Sequence, residues 1–208
     1  MINILYSDGS IIVCEKPAGV LSQNDAKGEK GLTELLIPYS KTGQVYPVHR
    51  LDRPVGGVMV YACDKESCTK LSSAGAIEKT YLTLVSGRPE SDKGELFDYM
   101  YKDGAKNKSF VASKGRKGVK EARLLYEVME YYAERDVTLV KVRLITGRTH
   151  QIRVQFSSRG MPVVGDGKYG SRIKDEFIAL WSHRISFIHP KTGDFVGYES
   201  FPYFLERK

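Results

Sequence analysis

Short β-type segments separated by turn-forming residues restrict this chain to a sheet-rich fold. Lys79–Val85 alternates, with Tyr81 and Thr83 on one face and Leu82 and Leu84 on the other, and Val137–Ile145 alternates in the same way. Gly57–Ala62 is a continuous apolar run typical of a buried strand. Hairpins are predicted at both ends of the chain, one over Ile2–Cys14 around an Asp-Gly turn and one over Leu180–Phe201.

Three short helices interrupt these strands. We expect them over Leu32–Ile37, from the capping Asp64 to about Ser73, and from Thr149 until Gly160 stops the last one. Because strands outnumber helices and hairpins join most of them, the chain is predicted to be α+β, with a mostly antiparallel mixed sheet flanked by helices and loops. Its 208 residues are enough for one domain, predicted over residues 1–208.

Charge indicates a polyanionic partner. The formal net charge is +7, the pI is about 9.2, and eight lysine and arginine residues face only Asp103 and Glu121 within Lys102–Arg123, called here the basic arm. Such clusters neutralise phosphates, so Lys114, Arg116 and Lys117 are candidate RNA-binding residues, although a solvated hairpin explains the pattern equally well. Phe110 and Val111 favour a strand pair over a disordered tail.

Other compositional features narrow the classes of function. No apolar run approaches the roughly 20 residues that span a bilayer, so no membrane partner is expected. Cys14, Cys63 and Cys68 form no CxxC pair, which favours reduced thiols in the cytoplasm and gives no metal site. No dinucleotide-binding fingerprint is present.

Two arginine-containing motifs carry the strongest functional signal. "VHRLDRPVGGVMVYA" places Asp52 between Arg50 and Arg53 just before the buried strand, and "LITGRTHQIRVQ" places Arg148 in a strand–turn–helix corner. Alone, the first could be a solvated ion pair, and the second could be a structural turn with a surface arginine. An aspartate that stays ionised in a dry pocket needs a cation within about 4–6 Å.

Together these motifs resemble the RluA family of RNA pseudouridine synthases. "IIVCEKPAGVLS", "KTYLTLVSG" and "LWSHRISFIHPKTG" follow the family's order, so the resemblance covers nearly the whole chain. It implies the pseudouridine synthase catalytic fold, with no N-terminal S4 RNA-binding domain because the first hairpin begins at once. It also implies isomerisation of a uridine in structured RNA, ribosomal or transfer, without metal or cofactor and by a protein expected to be a monomer.

The resemblance also implies residue roles. Asp52 matches the family's catalytic acid, Arg148 the cation that keeps it ionised, and Tyr81 the pocket tyrosine that stacks on uracil or accepts the C5 proton. Arg50 matches the residue that fills the space left when the uridine flips out of its stack. His49 is expected to order its loop, and His150 and Arg153 to serve as scaffold or phosphate contacts.

Several alternatives stay open on the sequence alone. Asp52 can act as a nucleophile or as the base that takes the C2′ proton. The rivals to the enzyme are a noncatalytic RNA-binding protein that retains the fold and a glycosidase, which would need a second carboxylate that no motif supplies.

Overall fold

The structure is a computed structural model that describes residues 2–205. Its strands, numbered in chain order, are β1 (Asn3–Ser7), β2 (Ile11–Lys16), β3 (Tyr46–Pro47), β4 (Gly56–Ala62), β5 (Ile77–Ser86), β6 (Lys93–Asp103), β7 (Lys108–Val111), β8 (Lys120–Tyr132), β9 (Val137–Leu144), β10 (Leu180–Ile188) and β11 (Phe195–Glu199). Its α-helices are α1 (Leu32–Leu35), α2 (Lys65–Ser72) and α3 (Gln151–Ser157). The α+β class and the predominance of antiparallel strands were predicted from the sequence and are confirmed.

Residue contacts group the chain into two compact units. The first unit combines the residues up to Lys79 with those from Trp181 onward, and the second is Thr80–Leu180. The single domain over residues 1–208 stays a prediction.

The first unit is built on strands in the order β1-β2-β4-β10, with β11 paired to β10 and β3 to β4. The β1–β2 and β10–β11 hairpins are antiparallel, as the sequence predicted. In contrast, β4 runs parallel to β10, with Gly56 beside Trp181 and Gly57 beside Ser182. One apolar cluster supports this sheet, and its members are Ile11, Val13, Val58, Val60, Leu71, Ile77, Ile185 and Phe187.

Strand β10 approaches the start of β4 so closely that the two positions there, Gly56 and Gly57, have no room for a side chain. A Cβ on Gly56 would overlap the ring of Trp181, and a Cβ on Gly57 would overlap the carbonyl oxygen of Ser182. Gly57 also has φ +116°, a conformation that side-chain-bearing residues rarely adopt. This contact fixes the start of β4 and therefore the end of the loop that carries Asp52.

Helix α2 covers part of the same unit, and its first turn confirms the predicted cap. The Asp64 carboxylate accepts hydrogen bonds from the Ser67 backbone N–H at 2.8 Å and from the Ser67 hydroxyl at 2.8 Å. Leu71 is buried from this helix into the apolar cluster. The Asp64 cap therefore stabilises the start of α2, and Leu71 packs the helix against the apolar cluster.

The second unit contains an antiparallel sheet in the order β5-β9-β8-β6-β7. One face of this sheet receives α3, where Val154 packs with Met100, Ala122 and Tyr169. The basic arm forms the end of β6, all of β7 and the start of β8, so it is a strand pair with turns as predicted. The sequence interpretation did not delimit β6 or β8, which are 11 and 13 residues long.

Candidate active site

The Asp52 carboxylate lies on a loop, residues 48–55, between β3 and β4 in the first unit. The neighbouring Leu51 and Val55 are buried, whereas Asp52 is only partly buried. The Val55 N–H donates to the Asp52 carbonyl at 3.0 Å, which closes a tight turn directly after the acid. The buried neighbours Leu51 and Val55, together with this turn, therefore anchor the backbone that carries the partly exposed Asp52 side chain.

Hydrogen bonds fix the backbone on the N-terminal side of this acid. The Leu51 N–H donates to the Ser22 hydroxyl at 3.1 Å, and the same hydroxyl donates to the Leu51 carbonyl at 2.8 Å. Tyr61, fully buried in β4, donates its hydroxyl to the Ser22 carbonyl at 2.8 Å. Burial raises the pKa of Tyr61, so this phenol is a neutral donor. The "KPAGVLS" segment is therefore a support for the Asp52 loop.

A buried lysine fixes the C-terminal side. Lys16 is fully buried, and its ammonium donates to the carbonyls of Pro17 at 2.9 Å, Val20 at 2.5 Å and Arg53 at 3.1 Å. The Arg53 carbonyl also accepts from the Gly19 N–H at 2.8 Å. Three acceptors match the three donors of an ammonium, which explains how a lysine is tolerated in this position.

The same lysine contributes to the electrostatics of the site. Burial lowers the pKa of Lys16 from 10.5 to about 8, while attraction by the Asp52 carboxylate raises it and the Arg53 charge lowers it further. At pH 7 the ammonium is still charged, and the Asp52 carboxylate attracts it. Sequence reasoning missed this residue; the only signal was a lysine continuing the apolar strand "IIVCEK" directly before Pro17.

The two arginines beside Asp52 differ in their surroundings. The Arg53 guanidinium donates to the Glu29 carboxylate at 3.0 Å and to the Gly19 carbonyl at 2.9 Å. Arg50 is exposed on the loop, which is compatible with contact to a large polyanion. Arg53 thus ties the loop to Gly19 and Glu29 although its side chain is 56% exposed, and Arg50 is exposed as well.

His49 has a structural position. Its Nε2 accepts the Val60 N–H at 3.2 Å, so it orders the loop against β4 as expected. Burial and the charge of Lys79 lower the pKa of His49 to about 3, so the ring is neutral at physiological pH. A neutral imidazole adds no cation to the Asp52 loop.

The second motif forms a rigid corner in the second unit. The Arg148 N–H donates to the Gln151 side-chain oxygen at 2.9 Å, and the Arg148 Nε donates to the Glu121 carbonyl at 2.7 Å. Gln151 in turn accepts from the Thr146 hydroxyl at 2.8 Å and donates to the Arg123 carbonyl at 3.1 Å. These bonds fasten the turn before α3 to β8 and restrict the position of the Arg148 side chain.

Arg153 and His150, for which the sequence left a scaffold or a phosphate-contact role open, both lie near this corner. Arg153 and Asp166 form a buried ion pair with Nε to Oδ2 at 2.6 Å and NH2 to Oδ1 at 2.9 Å. Their side chains are 5% and 1% exposed, so the scaffold role is the one that the structure supports for Arg153. His150 starts α3 with a left-handed φ of 57°, and its Nδ1 lies 2.7 Å from the Tyr169 hydroxyl.

The other predicted residues occupy two kinds of position. Tyr81 is buried in β5, paired with Val142 of β9. Lys114, Arg116 and Lys117 are exposed in the turn between β7 and β8. Asp52 thus lies in the first unit and Arg148 and Tyr81 in the second, and the pairing of Asp52 with Arg148 stays a prediction.

Further features concern metals, membranes and thiols. Over residues 2–205 no group of three or more His, Cys, Asp or Glu side chains is placed to hold a metal ion. Within that part of the chain no helix is both long and apolar enough to cross a membrane. Cys14, Cys63 and Cys68 are free.

Comparison with known proteins identifies the class of enzyme. A family model described as RNA pseudouridylate synthase matches residues 10–158. An uncharacterized RNA pseudouridine synthase of Aquifex aeolicus is 35% identical over 219 residues, covering 95% of this chain and 68% of that protein. The ribosomal large subunit pseudouridine synthase C of Buchnera aphidicola is 31% identical over 206 residues, covering 92% of this chain and 64% of that protein.

Solved structures support the fold independently. Human RNA Pseudouridylate Synthase Domain Containing 1 has a TM-score of 0.80 at 22% identity and covers 100% of this chain and 86% of that one. Human RNA Pseudouridylate Synthase Domain Containing 4 has a TM-score of 0.79 at 20% identity and covers 98% of this chain and 90% of that one. The fold is that of the pseudouridylate synthases. The chain belongs to the RNA pseudouridylate synthase family, so it is an enzyme that isomerises uridine in RNA, and the noncatalytic alternative is not supported.

Proposed function

We propose that this enzyme converts a uridine of large-subunit ribosomal RNA to pseudouridine, with Asp52 as its catalytic carboxylate. The choice of RNA is supported by the names of relatives such as the ribosomal large subunit pseudouridine synthase C proteins of Buchnera aphidicola and Salmonella typhi. The choice of acid rests on the HRLD motif and on the setting of Asp52 in the first unit.

The bond changes of the reaction define the role that Asp52 must have. The C1′–N1 bond of the uridine breaks, the base turns while bound, and C5 joins C1′. The proton leaves C5 and a proton is placed on N1, so no electron is gained or lost. An ionised carboxylate beside the ribose can add covalently as a nucleophile or take the C2′ proton. Both routes need the negative charge of Asp52.

One observation carries the assignment of Asp52: the backbone on both sides of it is held by buried groups. Ser22 binds Leu51 on one side, and the Lys16 ammonium binds the Arg53 carbonyl on the other. A surface aspartate has no need of such support, whereas a reacting carboxylate gains rate from a fixed position. The Lys16 ammonium also attracts the Asp52 carboxylate.

The remaining roles are proposed from the family resemblance. Arg148 supplies the guanidinium charge that the carboxylate needs, and Tyr81 contacts the uracil ring. Arg50 fills the stack after the uridine flips. Lys114, Arg116 and Lys117 contact phosphates, which their exposure permits. The expected cytoplasmic location and the monomeric state stay predictions.

Release of tritium from RNA labelled at C5 of uridine tests the assignment. Wild-type enzyme should release tritium from large-subunit ribosomal RNA, and Asp52→Asn, which keeps the size of the side chain, should release none above background. Asp194→Asn is the matched control because Asp194 is an exposed carboxylate in the turn between β10 and β11. It should retain wild-type activity.

Two results would overturn the proposal in separable ways. Activity of Asp52→Asn equal to that of Asp194→Asn would remove the catalytic role of Asp52. Turnover of transfer RNA by the wild type, with none of ribosomal RNA, would leave the acid in place and refute the choice of substrate. Mapping of pseudouridines in a deletion strain restored with each variant should give the same result in cells.

A further inference from the structure

Four aromatic side chains share the sheet face opposite α3 in the second unit. Phe97, Tyr99 and Tyr101 occupy alternate positions of β6, so they project to one side, and Phe110 of β7 lies directly opposite Tyr101. Leu96 and Met100, on the other face of β6, are buried, and Met100 packs against the α3 side. The core is therefore made by the other face, and packing does not account for this row of rings.

The row is exposed and bordered by cations. Phe97 is 45% exposed and Phe110 is 37% exposed. The Arg116 guanidinium lies over the Tyr101 ring at 3.8 Å from its centroid, and the Lys114 ammonium lies 5.8 Å from the centroid of Tyr99. Both cations come from the turn between β7 and β8, so the basic arm folds its charges back over the aromatic face.

The carboxylates on this face are engaged by neighbours. Glu95 forms an ion pair with Arg123, and Glu121 accepts a long hydrogen bond of 3.5 Å from the Tyr99 hydroxyl. The Lys108 ammonium lies 5.6 Å from the Phe110 ring centroid but donates to the Lys168 carbonyl at 2.6 Å and lies 4.9 Å from the Tyr169 ring, at the edge toward α3. The face thus combines flat rings with the Lys114 and Arg116 cations.

We propose that the face formed by Phe97, Tyr99, Tyr101 and Phe110, with Lys114 and Arg116, binds unpaired nucleotides of the substrate RNA by stacking. This deepens the proposed function and rests on RNA being the substrate. Aromatic rings on an open sheet, and arginine planes, stack on bases that are not paired, and lysines meet the phosphates between them. Bases inside a duplex hide their faces, so the aromatic row should contribute to binding of single strands only.

Fluorescence anisotropy with two labelled RNAs tests this. The probes are an unpaired 12-nucleotide uridine-rich strand and a duplex of the same length. Phe97→Leu and Tyr101→Leu keep an apolar side chain and remove the ring. Each should weaken binding of the single strand about tenfold, and Phe97→Leu should leave duplex binding unchanged. The salt dependence of Phe97→Leu should also be unaltered, because Lys114 and Arg116 pack on Tyr99 and Tyr101 instead.

Tyr131→Leu is the matched control. Tyr131 also carries an arginine, Arg88, with its guanidinium 5.5 Å from the ring centroid, but it lies at the far end of β8 outside the basic arm. This variant should bind both RNAs as the wild type does. Photocrosslinking of RNA containing 5-iodouridine should then label the tryptic peptide of residues 94–102, which holds three of the four rings.

Three outcomes would overturn the proposal. The first is equal single-strand affinity in all variants, and the second is crosslinks that map only outside the aromatic face. The third is sedimentation showing that the wild type self-associates and that Phe97→Leu abolishes this, since the face would then bind protein. These measurements test RNA binding by the aromatic face, whereas the Asp52→Asn experiment tests turnover. Failure of one proposal can therefore be distinguished from failure of the other.

Discussion

Replacing Lys16 by methionine should change how the stability of this enzyme depends on pH. Folded Lys16 has a pKa of about 8, against 10.5 for an ordinary lysine, because burial opposes its charge. Below about pH 8 both the folded and the unfolded chain carry this proton, and the full cost of burying the charge is present. Between about pH 8 and 10.5 only the unfolded chain retains it.

The sign and the size follow from proton linkage. Where the unfolded chain binds more protons, the free energy of unfolding rises with pH. The pKa difference of about 2.5 units, at about 1.4 kcal/mol per unit, gives a gain of about 3 kcal/mol for the wild type across this window. Lys16→Met has no proton to lose and should lack the gain, and Lys16→Arg should lack it because a guanidinium stays charged.

Urea unfolding followed by circular dichroism at pH 7.5 and pH 10 measures this difference. Lys27→Met is the control, since Lys27 is exposed in the neighbouring loop, and its pH response should match that of the wild type. If wild type and Lys16→Met change in parallel between the two pH values, the reasoning about the buried ammonium is refuted. Tritium release adds a functional readout: the activity of Lys16→Arg relative to wild type should rise above about pH 8, where Lys16 loses its charge.

Three further changes test other parts of the structure. Gly57→Ala should cost about 3 kcal/mol in urea unfolding because its Cβ meets the Ser182 carbonyl, whereas Gly104→Ala, with open space around it, should change stability by less than about 0.5 kcal/mol. Arg153→Met should cost about 3–5 kcal/mol by leaving the Asp166 carboxylate buried and alone, whereas Arg184→Met removes an exposed pair with Glu199 and should cost at most about 1 kcal/mol. Replacing Lys114, Arg116 and Lys117 by alanine should lower the slope of log affinity against log salt by about 2 to 3, and an unchanged slope would show that these exposed cations do not meet phosphates.

The local elements and the class of enzyme could be predicted from the amino-acid sequence alone. Alternation in the Lys79–Val85 segment predicted β5, the Asp-Gly turn predicted the first hairpin, and Asp64 predicted the start of α2. These features depend on neighbours within a few residues, so the hydrophobic period and the turn residues are sufficient to predict them. The paired motifs around Asp52 and Arg148 likewise indicated the RNA pseudouridylate synthase family.

The surroundings of the functional residues, in contrast, depend on how distant segments pack. From the sequence, Lys16 at the end of an apolar strand would be interpreted as a surface charge. Its partners, the carbonyls of Pro17, Val20 and Arg53, come together only in the folded protein. The parallel contact of Gly56 with Trp181 joins residues far apart in the chain, and alternation in β6 cannot tell which face α3 will cover. Burial, charge pairing and exposed faces depend on which distant segments pack together, and a local pattern does not contain that information.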